Sequence, residues 1–289
     1  MQISYQKDAN LLAKNAAKII NGKALAEKII SQVNIDLQEK GKKPGLAAIL
    51  VGDDPSSHLY VRLKKEACEK CDINFHSYLF GAKADENEII KTIEFLNANS
   101  EVDAILVQMP LPEKFDTDKI INVIKPEKDI DGFCPSNRAK YASCQTDFYP
   151  PLIESVRELI LSTHEKIENK NIVILCNSKI FGEPFHCLYG DKNKVEILTT
   201  KDLGFQEKTK QADILIVSLG IPLFIDRELV KKDAIIIDIG INQLPGSKDV
   251  FGDVNLQDVL EKVKFITPVP GGVGPMTIAC LLKNLKKMA

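Results

Sequence analysis

Residues 45–67 read GLAAILVGDDPSSHLYVRLKKEA, and this stretch decides the fold. The first seven residues form an unbroken apolar run, which predicts a strand over 45–51 buried on both faces. Gly52 to Pro55 make a turn, and Ser56 or Ser57 is placed to cap a helix over 55–71. The same grammar recurs along the chain. Further strands are predicted at 73–79 and 103–107, then at 171–175, 195–198, 213–217 and 234–238. Helical patterns fall near 85–98, 116–123, 150–168, 226–231 and 275–288. Val/Ile/Leu-rich strands separated by helices indicate a parallel sheet covered on both faces, and the pattern appears twice. Periodicity fades around 135–150, which marks a seam between two α/β units.

Length and composition agree with that division. A chain of 289 residues suggests about two domains. With 44% apolar and 27% charged residues it is globular in composition, and its net charge of −2 supplies no basic field for nucleic acid. No stretch approaches the ~18 apolar residues of a membrane helix. The opening residues MQISYQKDANLLAKNAAK hold no apolar run, which predicts no secretory signal and a polar lead-in to an amphipathic helix. Seven scattered cysteines, an odd number, fit a reducing compartment. Cys68 and Cys71 form a CxxC, but no second pair stands at zinc-ribbon spacing. They read as helix thiols, and no metal site is predicted.

Ligands of open parallel sheets bind beyond the carboxyl ends of the strands, so the loops there come first. Tyr60 and Lys64 share a helix face one turn from its start. Spacing alone admits an acid/base pair or a half-buried Tyr beside a solvated Lys. Gln108 ends the strand DAILV, in the rigid turn QMPLP. Asp129 and Asp131 precede Gly132, a pattern that serves an Asx-turn as readily as a ligand. In the second half, CNSKIFGEPF (176–185) follows a strand without any G-x-G-x-x-G. Gly182 and Pro184 suggest a helix that begins there and could receive a phosphate on its N-terminus. The loop offers Asn177, Ser178 and Lys179, and Gly220 and Ile241 lie in the turns SLGIP and DIGIN. The run ITPVPGGVGPMT (266–277) is rigid and poor in side chains, so its backbone can approach a planar ligand.

Together these stretches resemble one family, the bifunctional methylenetetrahydrofolate dehydrogenase/methenyltetrahydrofolate cyclohydrolases. VGDDPSSHLYVRLKKEACEKCDI, ILVQMPLP, KPEKDIDGFCPSN, IFGEP, QADILIVSLGIP, IIIDIGIN, GDV and TPVPGGVGPMTIACLL occur in family order from about residue 22 onward. The resemblance implies an α/β fold of two domains: an N-terminal α/β folate-binding domain and a Rossmann-like nucleotide-binding domain, with the active site in the cleft between them. It places the folate domain at 1–147, completed by the C-terminal helix 270–289, and the NAD(P) domain at 148–269. It implies Lys64 as catalytic lysine, Tyr60 as active-site tyrosine, Gln108 as the amide that tunes the lysine, and Asp131 as the carboxylate that holds the pterin edge. Folate binding extends to Pro270, Gly271 and Gly272. Asn177, Ser178, Lys179, Gly182, Gly220 and Ile241 fall to the nicotinamide cofactor, NADP or NAD. The implied reactions are hydrolysis of 5,10-methenyltetrahydrofolate to 10-formyltetrahydrofolate and oxidation of 5,10-methylenetetrahydrofolate to the methenyl form. The resemblance also implies a cytoplasmic homodimer with no nucleic-acid or membrane partner.

The chain departs from the family on the cofactor side. Cys176-Asn177-Ser178 stands where the family has Gly-Arg-Ser, so the arginine that pairs with a nucleotide phosphate is gone. VEILTTKDL (195–203) lacks the family's His-Ser, and Tyr149-Pro150-Pro151-Leu152 replaces a Pro-Cys-Thr-Pro turn. These losses predict that cyclohydrolase activity is kept while the NADP-dependent dehydrogenase step is weak, shifted toward NAD, or absent. Two other readings exist. A non-catalytic folate-binding paralogue is opposed by the retained Lys64, Gln108 and Asp131. A short-chain dehydrogenase, suggested by Tyr60-xxx-Lys64, would carry a Gly-rich loop near its N-terminus and the Tyr/Lys pair late in the chain.

Overall fold

In the computed structural model, the described residues are 13–146, 148–243 and 249–289, with the side chain of Lys179 left out. The chain divides into two units, one comprising the chain up to Leu25 with Ser155–Met276, the other Ala26–Glu154 with Thr277–Ala289.

The Ala26–Glu154 unit is built on three parallel strands, β1 (Gly45–Val51), β2 (Asn74–Phe80) and β3 (Ala104–Val107), in the order β2-β1-β3. Every residue of β1 is buried. Leu46 and Ala48 join a core with Val33, Leu37, Cys68, Leu281 and Leu285, whereas Ala47, Ile49 and Val51 join another with Ile89, Ile93 and Leu96. The strand thus feeds two cores with its period of two. Each fully buried Ile or Leu contributes about 1.5–3 kcal/mol, so β1 is a firm base for the loops beyond it. Helix α1 (Gly22–Lys40) supplies Val33 and Leu37, and Asn21 Oδ1 caps its start by accepting from Ala24 N at 3.0 Å. Helix α2 (Pro55–Lys70) follows β1, and α3 (Glu86–Ala98) follows β2. Past β3 the chain returns along that strand's free edge: Ile105 N donates to Lys128 O at 2.7 Å, and Ile130 N to Ile105 O at 3.4 Å. Helix α4 (Pro135–Ala142) then lies where the sequence predicted only a seam.

The Ser155–Met276 unit holds a five-stranded parallel sheet of β4 (Asn171–Cys176), β5 (Lys194–Leu198), β6 (Ile214–Ser218), β7 (Ile235–Asp238) and β8 (Phe265–Ile266). The spatial order is β8-β7-β6-β4-β5, so in this unit's own sequence the order is 2-1-3-4-5, that of a doubly wound sheet. Val173, Leu175, Leu215, Val217 and Ile236 share one core with Phe205, Val259 and Val263. The seven predicted strands are all present, displaced by one residue at most.

Three helix expectations need correction. Helix α5 (Pro151–Leu161) is shorter than the predicted 150–168, because the backbone turns left-handed at His164 (φ 56°). Residues Arg227–Leu229 make one 3₁₀ turn rather than a helix over 226–231. Helix α6 (Lys179–Tyr189) begins directly after the loop beyond β4, not at Gly182, and carries Pro184 in its interior. The last helix, α7, spans Val273–Met288. Among the described residues, no helix is long and apolar enough to cross a membrane.

Candidate active site

In the three-stranded sheet, β1 has β2 on one side and β3 on the other. The strand order therefore reverses between the carboxyl ends of β1 and β3, the place where open parallel sheets take their ligands. Both α2 and Gln108 start from that point. The cap of α2 is Asp54, whose Oδ2 accepts from Ser57 N at 2.7 Å, with Pro55 at the first helical position. This corrects the expectation of a serine cap: Asp54 presents a full negative charge to the helix N-terminus. Gln108 N extends the β1–β3 ladder by donating to Ile49 O at 2.8 Å.

Lys64 is buried, and its Nζ donates to Gln108 Oε1 at 2.8 Å. Gln108 Nε2 donates to Met109 O at 2.9 Å, which fixes the amide with its oxygen toward the lysine. Burial pulls the Lys64 ammonium below its ordinary value, against an opposing pull from the Asp131 charge. Burial also pushes Asp131 up to about 6, held back by Lys64 and reinforced by Asp129. The two groups sense each other's charge, which opposes the effect of burial on both. Tyr60 lies one turn before Lys64, half-buried, its phenol raised by burial. Spacing alone left open whether Lys64 was solvated; its buried position and its bond to Gln108 exclude that.

The neighbouring carboxylates have divided their roles. Asp129 is buried and spent on the turn: it accepts from Gly132 N at 2.9 Å, Cys134 N at 2.8 Å and Asn137 Nδ2 at 3.1 Å. Asp131, half-buried, is left facing Lys64. Gly132 sits at φ 69°, and a Cβ there would lie 2.1 Å from Tyr141 Oη, on a buried ring of α4. Left-handed strain plus overpacking makes Gly132→Ala cost about 2–4 kcal/mol. Thermal unfolding is expected to show a midpoint lower by about 5–10 °C. An unchanged midpoint would mean that Tyr141 moves aside freely.

The second switch point lies between β4 and β6. Asn177 N donates to Ser218 O at 3.1 Å across it. Ser178 is the N-cap of α6 and makes no side-chain cap bond. Phe181 N already donates to Ser178 O at 3.1 Å, so an anion at this eleven-residue helix would be received by the N–H groups ahead of it. A Cβ on Gly182 would meet Ile197 Cγ2 at 2.4 Å, so glycine lets α6 lie tight on β5. The side chain of Lys179 is outside the described residues. Gly220 (φ 69°) turns the loop after β6, and Ile241 is exposed after β7. The sheet order, the helix start without a side-chain cap and the close glycine fit a dinucleotide, although Cys176, fully buried, turns its Sγ onto Ser178 O at 3.1 Å where the family has glycine.

The loop before α7 belongs to the same unit as β4–β8. Gly271 O accepts from Lys23 N at 3.0 Å, and a Cβ on Gly272 would meet Pro268 O at 2.5 Å. Gly272 is thus closely packed, whereas Gly271 (φ 103°) has open space on its Cβ side and Pro270 is exposed; all three belong to the unit that does not hold Lys64. Burial pushes Cys68 up to about 12 and Cys71 upward, so both thiols are poor nucleophiles. Among the described residues no cluster of three or more His, Cys, Asp or Glu could hold a metal.

Two family models match. The tetrahydrofolate dehydrogenase/cyclohydrolase catalytic domain covers residues 20–131, and the NAD(P)-binding domain of the same family covers 150–289. The chain belongs to the tetrahydrofolate dehydrogenase/cyclohydrolase family. The bifunctional protein FolD of Campylobacter hominis is 42% identical over 276 residues, which is 94% of this chain and 97% of that protein. FolD of Bacillus subtilis is 40% identical over 278 residues, 94% and 98% of the two chains. The crystal structure of the bifunctional FolD dehydrogenase/cyclohydrolase from Campylobacter jejuni superposes with a TM-score of 0.88 at 37% identity, covering 93% and 97%. The Trypanosoma brucei dehydrogenase-cyclohydrolase, solved with NADP and an inhibitor, gives a TM-score of 0.88 at 30% identity, covering 94% and 97%. Membership in this tetrahydrofolate dehydrogenase/cyclohydrolase family brings an NAD(P)-binding domain with it.

Sequence reasoning passed over two carboxylates of that domain. Asp253 and Asp238 are both buried at the carboxyl end of its sheet. The available signal was the pairing of DIGIN with GDV, an aspartate next to glycine in each.

Proposed function

We propose that the chain hydrolyses 5,10-methenyltetrahydrofolate to 10-formyltetrahydrofolate and oxidises 5,10-methylenetetrahydrofolate with a nicotinamide nucleotide that it holds less tightly than a Gly-Arg-Ser loop would. The observation that carries this reading is the buried Lys64–Gln108 pair beside Asp131. Family membership and the FolD relatives support it.

In hydrolysis, water attacks the bridging methenyl carbon and forms a C–O bond. A neutral Lys64 still donates one N–H to Gln108 Oε1 and keeps a lone pair to take the water proton. The bond from that carbon to N5 then breaks as the Lys64 ammonium returns its proton to N5, and the hydroxyl proton leaves to solvent, so the carbon stays on N10 as a formyl C=O and one proton is released overall. The substrate is a cation, so an ammonium beside it is disfavoured and Lys64 is pushed further toward the neutral amine. Asp131 accepts paired hydrogen bonds from the amino-pyrimidinone edge, and Tyr60 packs against the folate rings. The resemblance assigns Pro270, Gly271 and Gly272 to the folate. Asn177, Ser178 and Gly182 with the start of α6, together with Lys179, Gly220 and Ile241, are the residues that would hold the nucleotide. When bound, the nicotinamide supplies a hydride acceptor, and the chain's own part in that step is to orient the two rings. A cytoplasmic homodimer completes the proposal, on the resemblance.

The pH profile tests the folate side. Asp131 holds the pterin edge as a carboxylate, so cyclohydrolase kcat/KM is expected to rise with pH as Asp131 loses its proton near about 6. Asp131→Asn should lower kcat/KM and remove that limb. A wild-type profile flat from pH 5 to 7 would contradict the role.

A further inference from the structure

We propose that Asp253 is a positioning residue for the dehydrogenase half-reaction: its carboxylate stands in for an anion inside the loop Leu219–Ile221 and holds that loop in the shape that receives the nicotinamide nucleotide. This rests on the cofactor reading above.

The loop leaves β6 at the nucleotide switch point, one residue past Ser218, to which Asn177 is bonded. Three consecutive backbone N–H groups of the loop converge on one side chain. Leu219 N and Gly220 N donate to Asp253 Oδ2 at 2.6 and 3.2 Å, and Ile221 N donates to Oδ1 at 2.9 Å. Left-handed Gly220 (φ 69°) between its neighbours gives the concave arrangement of N–H groups that captures anions. Here the captured anion is internal. Asp253 is fully buried, and Asn242 Nδ2 donates to its Oδ1 at 2.9 Å as a fourth partner.

A second carboxylate fixes the backbone that carries the first. Asp238, at the end of β7, accepts from Gly240 N at 2.9 Å, Asp253 N at 3.1 Å and Val254 N at 2.9 Å. A Cβ on Gly240 would lie 2.3 Å from Asp253 Cγ, and one on Gly252 would clash with Asp238 Oδ2. Both glycines of DIGIN and GDV therefore make room for carboxylates.

The arrangement has a consequence for ligand placement. An open concave loop at a switch point competes for phosphate. With Asp253 seated in it, this loop repels phosphate, and the diphosphate is directed to the start of α6. What the loop shows to solvent is instead the apolar Ile221, 41% exposed, a surface for an uncharged ring.

Asp253→Asn keeps the size and removes the acceptor symmetry. Each carboxylate oxygen receives two N–H donors, so the amide NH2 must face two of them. The expected result is a tenfold or greater rise in KM and Kd for NADP and NAD, with cyclohydrolase kcat and KM within twofold of wild type. Asp253→Gly should show the same loss, recovered in part by sodium formate, which a merely structural role would not reproduce. Should both Asp253 variants fail to fold, Asn242→Ala removes one donor, and a threefold or greater rise in nucleotide KM is expected. The proposal is overturned if soluble Asp253→Asn binds nucleotide as wild type does, if both activities fall together, or if Asn242→Ala leaves nucleotide KM unchanged. A wild-type protein that neither binds nor reduces NADP or NAD would instead refute the cofactor reading itself.

Discussion

Replacing Lys64 by Ala should lower cyclohydrolase kcat by about 10²–10⁴-fold, the usual contribution of a positioned general base. The chemistry has one amine: Lys64 is buried, bonded to Gln108 at 2.8 Å and drawn toward its neutral form. The variant should fold. Alanine is the best helix former, and the substitution removes a buried ammonium whose desolvation opposes its charge. Asp131 loses the cation that held its carboxyl down, so folate affinity should fall at neutral pH as well. The measurement is the loss of methenyltetrahydrofolate absorbance, followed for both proteins at saturating substrate. Equal rates would remove Lys64 from the mechanism.

Restoring an arginine in the nucleotide loop should produce the second large effect. Asn177 is exposed and its backbone N–H is already bonded to Ser218 O, so Asn177→Arg adds a guanidinium without disturbing the loop. One charge-assisted contact to a phosphate contributes about 1.5–3 kcal/mol, roughly ten- to a hundredfold in affinity. NADP titrated by calorimetry should therefore bind Asn177→Arg that much more tightly than wild type. Cyclohydrolase turnover should stay unchanged, because Lys64, Gln108 and Asp131 belong to the other unit. Unchanged NADP affinity would show that another cation already meets the phosphate.

Much of this architecture was legible in the residues. Apolar runs located β1, β3, β4, β6 and β7, because a strand buried on both faces cannot be written in polar residues, whereas the edge strands β2 and β5 are mixed in composition and only partly buried. Helix ends were less legible. Pro184 reads as a first-turn residue, yet it lies inside α6, where a helix packed on β4 and β5 tolerates the lost backbone bond. Helix α4 was missed because Pro-Ser-Asn-Arg-Ala-Lys-Tyr-Ala has no apolar face to announce it. At the site, composition and spacing supplied candidates but not their meeting. Lys64 and Gln108 are 44 residues apart, and only the β1–β3 register brings them together. The resemblance named that pair, and Asp131 over Asp129. The structure supplied the reason: Asp129 is consumed by three hydrogen bonds of its own turn. For Asp253 the aspartate–glycine signal in GDV names no partner, because three of its four are main-chain N–H groups, which sequence does not mark.

We propose one chain with an intact folate site and a loosened nucleotide site. It is tested most directly by measuring both reactions on one preparation of the wild-type protein: disappearance of methenyltetrahydrofolate, and reduction of NADP and of NAD by methylenetetrahydrofolate across a cofactor titration. The predicted result is ready hydrolysis together with nicotinamide reduction that demands a KM for NADP at least tenfold above that of Asn177→Arg. Absent hydrolysis would contradict the account, and so would a wild-type NADP KM equal to that of the arginine variant.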